Sequence, residues 1–111
     1  MTIGSHVIRR LDSVRILLVD GKEIKFTPTE YHLLLYLLKG KPVSDRELMA
    51  ALFNSRVEDD FWAREALDRH LDHVRRKFKQ HHLKMHVRRI SAFGYILLPD
   101  LPLRRRRSSS Y

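Results

Sequence analysis

The sequence predicts an α+β fold, and three observations carry that expectation. Its first quarter is β-branched and alternating, its middle holds three segments with apolar residues at helical spacing, and its end returns to a short hairpin pattern. Residues 7–98 are expected to form a single domain, and residues 99–111 a basic, mobile tail.

Val7–Arg10 and Val14–Val19 read as strands. Asp20-Gly21 suits a tight hairpin turn, after which Lys22–Phe26 alternates Ile24 and Phe26 with charged residues. Thr27-Pro28-Thr29-Glu30 is a helix start. Thr27 caps, Pro28 takes the first helical position where no N–H is needed, and Glu30 stands where a capping box requires an acid. Tyr31, Leu34, Leu35 and Leu38 then line one face, Gly40 ends the helix and Pro42 bars its resumption. A second capping box, Ser44-Asp45-Arg46-Glu47, opens a shorter helix with Leu48, Leu52 and Phe53 turned inward. Asn54–Asp60 is a polar, partly acidic loop whose Asp59 or Asp60 can cap a third helix over Phe61–Lys79. That helix presents Ala63, Leu67, Leu71, Val74 and Phe78 to a core at three-four spacing. Met85–Ile90 and Tyr95–Leu98 are strands joined by Ser91-Ala92-Phe93-Gly94, and Pro99 and Pro102 close the fold. Three helices with a turn before the last and a hairpin after it describe a winged helix-turn-helix: an N-terminal antiparallel sheet, a three-helix core and a C-terminal β-hairpin wing.

The charge is unevenly spread. Residues 61–111 carry 13 Lys/Arg against 4 Asp/Glu, while residues 1–60 carry 9 of each, so the formal excess of +9 lies in the second half. A pI near 10.4 points to an acidic polymer as partner. There is no cysteine for a disulfide framework or a thiolate zinc site, and the longest apolar stretch, Leu33–Leu38, is far too short to span a bilayer. His81, His82 and His86, or His70 with His73, lack the carboxylate or thiolate that would complete a metal site. No glycine-rich phosphate loop, activated serine or paired carboxylates stand out. The expectation is a cytoplasmic protein that is not an enzyme, with no cofactor, no metal and no membrane contact.

Several motifs in order resemble the OmpR/PhoB-type effector domain of bacterial response regulators. They are Phe26-Thr27-Pro28-Thr29-Glu30-Tyr31, Leu34-Leu35, and Ser44-Asp45-Arg46-Glu47-Leu48. On the third helix they continue with Asp68, His70-Leu71 and Val74-Arg75-Arg76-Lys77-Phe78, and in the wing with Gly94-Tyr95. The resemblance runs from Val14 to Leu98. It implies a third helix in the major groove, a wing reaching toward the minor groove, and binding to direct repeats as a head-to-tail homodimer. It also implies that the loop before the third helix touches RNA polymerase, here through Asn54, Arg56, Glu58 and Asp59. The alternative function, to which the mixed charge of the third helix and the altered wing point, is an RNA polymerase-binding adaptor or protein-interaction module on the same fold. Two features depart from the family pattern. No room exists for a receiver domain, which leaves a stand-alone regulator or an excised effector domain. The wing, usually Arg-Gly-x-Gly-Tyr, here ends Ser91-Ala92-Phe93-Gly94-Tyr95, with Arg88 and Arg89 further back.

At ~100° per residue, the side of the third helix opposite its apolar face shows Glu65, Arg69, Asp72, His73 and Arg76, with Lys79 nearby. Arg69 and Arg76 can fork to guanine, His73 can donate to an acceptor edge, and Asp72 can accept from cytosine. Glu65–Arg69 and Asp72–Arg76 are spaced as ion pairs, which on a bare surface are worth only a few tenths of a kcal/mol. Arg75, Lys77 and Lys79 flank this face as phosphate contacts, joined by Arg88 and Arg89 in the wing and Arg104, Arg105, Arg106 and Arg107 in the tail. The function expected is sequence-specific binding of double-stranded DNA by a transcription regulator.

Overall fold

Asp20 and Gly21 both adopt left-handed backbone, with φ of 53° and 85°, the pair of conformations that a two-residue type I′ turn demands. The turn sets Val19 opposite Lys22 and so joins β3 (Ile16–Val19) to β4 (Lys22–Lys25). β3 pairs on its other side with β2 (His6–Leu11), and β2 with the two-residue β1 (Thr2–Ile3). The result is a four-stranded antiparallel sheet in the order β1-β2-β3-β4. The computed structural model describes residues 1–52 and 61–100. Phe53, the capping Asp59 and Asp60, the loop residues Asn54, Arg56, Glu58 and Asp59, and the tail arginines Arg104–Arg107 lie outside the described residues.

Two features of this sheet differ from the sequence reading. Val14 ends a 3₁₀ turn, Asp12–Val14, and the strand begins only at Ile16. The Asp12 carboxylate accepts from Arg10 Nε and Nη2 at 3.1 and 2.6 Å and from the Tyr31 hydroxyl at 2.5 Å. That anchorage turns the chain where β-branched content alone suggested a strand. The sheet also starts ahead of Val7. His6 is buried, with Nδ1 2.6 Å from Asp20 Oδ2 and Nε2 accepting the Lys84 N–H at 2.8 Å. Its ring proton therefore sits on Nδ1, facing Asp20. Polar residues that looked local thus tie the first sheet to the chain just after the third helix.

α1 (Pro28–Leu37) begins with both bonds of its capping box, Glu30 N–H to Thr27 Oγ1 at 3.2 Å and Thr27 N–H to Glu30 Oε1 at 3.1 Å. It buries Tyr31, Leu33, Leu34, Leu37 and Leu38, while Leu35 is only partly covered. The buried face is broader than one stripe because α1 is enclosed by α2 (Asp45–Leu52), α3 (Phe61–Gln80) and β7 (Gly94–Pro99). α2 carries the second capping box, Glu47 N–H to Ser44 Oγ and Ser44 N–H to Glu47 Oε1, both 3.1 Å. Met49 joins Leu48 in the core, and Leu52 is half-buried. α3 buries the five residues its spacing predicts, each 4% exposed or less. It ends in a Schellman pattern, Leu83 N–H to Phe78 O at 2.9 Å and His82 N–H to Lys79 O at 3.1 Å. His82, at φ 56°, takes the left-handed place a glycine usually fills.

β6 (Met85–Ile90) and β7 form the C-terminal hairpin. A short strand β5 (Val43–Ser44), absent from the sequence reading, adds to β7 and makes a three-stranded sheet in the order β5-β7-β6. Gly94 permits this pairing. A Cβ there would lie 1.9 Å from Val43 O and 2.8 Å from Ser44 Cα, so only glycine lets the two backbones approach.

Candidate nucleic-acid interface

Burying Leu67, Leu71, Val74 and Phe78 of α3 against α1 and α2 turns the opposite face of the helix to water. Arg69, Asp72, Arg76 and Lys79 are exposed there, and His73 is half-buried at the edge. This grouping is the one the sequence suggested. What the sequence did not resolve is which of its cations are already held.

Three of the expected DNA contacts are committed within the molecule. Lys77 reaches across to α1, donating to Glu30 Oε1 at 2.9 Å and to the Lys25 carbonyl at 2.7 Å, with its ammonium 5.0 Å from the Phe26 ring centroid. Arg75 forks onto the Val87 carbonyl of β6 through Nε and Nη2, at 3.1 and 3.0 Å, and gives Nη1 to Asp72 at 3.0 Å. Arg89 donates to Asp45 Oδ1 at 2.6 Å and lies 5.0 Å from the centre of the Tyr95 ring. The partner of Asp72 is therefore Arg75, three residues on, and not Arg76. Among the described residues, Glu65 and Arg69 make no ion pair; the same holds for Arg76, Lys79 and Arg88. Arg69 and Arg76 thus face solvent with uncommitted guanidinium forks.

A brace of buried and half-buried polar groups fixes this face. Glu30, only 4% exposed, accepts from Thr27 and Lys77 and lies 3.6 Å from His73 Nδ1. Burial pushes its carboxyl pKa up. The Lys77 ammonium and the Thr27 N–H outweigh that and hold it below the ordinary glutamate value. Asp45, at the first turn of α2, bridges Arg89 of the wing and Arg64 of α3, the latter at 3.3 Å. The Tyr95 hydroxyl donates to Asp68 at 2.6 Å, and burial together with that bond pushes its pKa up to about 12. The hydrogen bond to Asp45 raises the Arg89 pKa. Asp68 belongs to the motif on the third helix, but its partner Tyr95 stands far along the chain, beyond any local spacing. Asp45 was hidden because its sequence context reads only as a helix start. The wing tip is pinned to the same brace: Phe93 N–H donates to Ile90 O at 3.0 Å and Asp45 N–H to Phe93 O at 2.8 Å.

Among the described residues no group of three His, Asp or Glu is placed to hold a metal ion, and no helix is long and apolar enough to cross a membrane. A three-helix core whose last helix presents a partly free cationic face, flanked by a braced β-hairpin, defines a winged helix-turn-helix domain of the DNA-binding class. The chain belongs to the family described as "Transcriptional regulatory protein, C terminal", the OmpR/PhoB-type DNA-binding domains, which matches residues 21–97. Its fold is similar to that of the DNA-binding domain of the response regulator AdeR, solved in complex with an intercistronic region. The identity is 21% and the TM-score 0.63, over 86% of this chain and 95% of that one. It is likewise similar to the C-terminal domain of the nisin resistance regulator NsrR, a lantibiotic response regulator. There the identity is 23% and the TM-score 0.62, over 91% of this chain and 97% of the other. No curated protein sequence matches the chain.

Proposed function

We propose that this chain is a sequence-specific reader of double-stranded DNA within a transcription regulator, with α3 in the major groove and the wing beside it. One observation carries the reading. Of the cations on and around α3, Lys77, Arg75 and Arg89 hold the scaffold, whereas Arg69 and Arg76 stand on the exposed face with no intramolecular partner among the described residues. A free guanidinium fork on a rigid helix is the group best suited to guanine O6 and N7. His73 and Asp72 complete the reading set, each biased by a neighbour: His73 by Glu30 and Asp72 by Arg75. Lys79 and Arg88, exposed and without an ion pair among the described residues, serve as phosphate contacts, and the tail arginines Arg104–Arg107 extend them. Arg75, Lys77 and Arg89 act on DNA through the geometry they maintain. The folded unit runs over residues 7–98 with β1 added at its start, followed by a basic tail. Binding of head-to-tail pairs to direct repeats, contact with RNA polymerase through Asn54, Arg56, Glu58 and Asp59, and a place at the bacterial nucleoid in the cytoplasm complete the proposal.

Selection of bound duplexes from a random library tests this reading. A recovered half-site, repeated at about one helical turn, is the expected result. Recovery of unenriched sequence with salt-insensitive binding contradicts it, since phosphate contacts make affinity fall steeply with salt.

A further inference from the structure

Phe93 is the only aromatic among the large exposed hydrophobic residues described, and it stands at the tip of the wing with 46% of its surface in water. A lone exposed apolar side chain needs no explanation in general. This one differs in how it is held. Its N–H closes the turn onto Ile90 O, its carbonyl receives the Asp45 N–H, and Gly94 beyond it is clamped against Val43 and Ser44. Ala92 before it is fixed in left-handed backbone at φ 60°, a conformation that strains a non-glycine residue. Asp45 also pairs with Arg64 and Arg89, so the same carboxylate sets the tip relative to α3. An aromatic ring with two torsions on a fixed backbone loses little freedom when it is covered. The turn itself, Ser91-Ala92-Phe93, carries no charge, and among the described residues the nearest cation in sequence without an ion pair is Arg88.

We propose that Phe93 is the specificity-determining element of the wing: an apolar probe that packs into the minor groove beside the α3 site. This inference rests on the DNA-binding reading above. An apolar side chain in the minor groove works by partly unstacking a base step and kinking the duplex. It therefore favours deformable pyrimidine–purine steps such as TA, whereas a cationic tip favours the narrow groove of A-tracts. The wing of this protein selects DNA by deformability.

The magnitude follows from the exposed area. With 46% of the residue in water, a Phe of roughly 200 Å² leaves about 90 Å² to be covered. At about 25 cal/mol per Å² this corresponds to tens of fold in affinity.

The test compares the full chain with Phe93→Ala and Arg88→Ala by fluorescence anisotropy over a salt series. The probes are duplexes from the selection carrying TA or AA steps moved through the flanks. Phe93→Ala should bind roughly ten- to fiftyfold more weakly at every salt concentration, with the log–log salt slope unchanged and the preference for TA over AA lost. Arg88→Ala should lower the slope by about one and keep that preference. Because Phe93 is exposed and its backbone bonds do not involve the ring, the thermal midpoint of Phe93→Ala should stay at the wild-type value. Phe93→Leu should keep most of the affinity as a second, conservative check. Unchanged affinity in Phe93→Ala, a fall in its salt slope, or no TA preference in the wild type each overturns the inference while leaving DNA binding intact. A wild type that does not bind duplex DNA overturns the function reading and this inference together.

Discussion

Replacing Lys77 by Met tests whether this cation belongs to the scaffold or to the DNA interface. Its ammonium is 2.9 Å from Glu30 Oε1 and 2.7 Å from the Lys25 carbonyl, and its side chain is 28% exposed against 5% for Glu30. Removing one partner of a fully buried pair costs about 3–5 kcal/mol, because the other charge is left unpaired. Here Glu30 keeps the Thr27 N–H, and water can reach the vacated side, so about 2 kcal/mol is the appropriate figure. For a domain of this size that lowers the thermal midpoint by roughly 8–16 °C. The effect depends on pH in a definite direction. The folded pKa of Glu30 is lowered from 4.5, so the stabilisation is fully present above that value and is lost as pH falls through the folded pKa. The gap between wild type and Lys77→Met in urea denaturation should therefore be full at neutral pH and close in acid. Glu30→Gln combined with Lys77→Met should recover part of the loss, since no unpaired charge remains. The salt slope of DNA binding should be unaltered. Unchanged stability together with a slope reduced by about one would refute the assignment and return Lys77 to the phosphate contacts.

Gly94→Ala should destabilise the domain by about 3 kcal/mol or prevent folding, because the new Cβ would sit 1.9 Å from Val43 O; a midpoint within a degree or two of wild type in calorimetry would contradict the β5–β7 packing. Ala92→Gly should raise stability by about 0.5–1 kcal/mol in urea denaturation, since relief of the left-handed strain exceeds the added freedom of the unfolded chain. Tyr31 and Tyr95 should ionise late, at about 12, as burial and their bonds to Asp12 and Asp68 oppose the phenolate. Their contribution to stability is complete below pH 10.0 and lost as pH rises toward 12; phenolate absorbance should lose one late step in each of Tyr31→Phe and Tyr95→Phe.

Local chemistry is legible where it is encoded within four residues. Both capping boxes, the Asp20-Gly21 turn and the five inward residues of α3 depend on spacing and on residue types that have few other uses. What escaped is long-range. β5 is two residues long, and only its partner β7, far along the chain, makes Val43–Ser44 a strand. Asp12 acts across the fold on Tyr31 and His6 on Lys84, so the 3₁₀ turn has no local signature, while β1 pairs with the adjacent β2 but at two residues is too short for alternation to show. The candidate interface shows the same division. Helical periodicity placed Arg69, Asp72, His73 and Arg76 on one face, and they are there. Periodicity could not say that Arg75 would be spent on Val87 O, Lys77 on Glu30 and Arg89 on Asp45. Those pairings depend on tertiary distance, and they sort the cations into those that hold the helix and those left to bind.

The central claim is that Arg69 and Arg76 read bases while their cationic neighbours do not. The most direct measurement is the discrimination of Arg69→Ala and Arg76→Ala among duplexes varied at each position of the selected half-site. Each variant should lose about 1–3 kcal/mol of discrimination at its own base pair and keep it elsewhere, while Lys79→Ala weakens all sequences alike. Equal weakening on every duplex by Arg69→Ala and Arg76→Ala would contradict the claim and reduce α3 to a phosphate-binding helix.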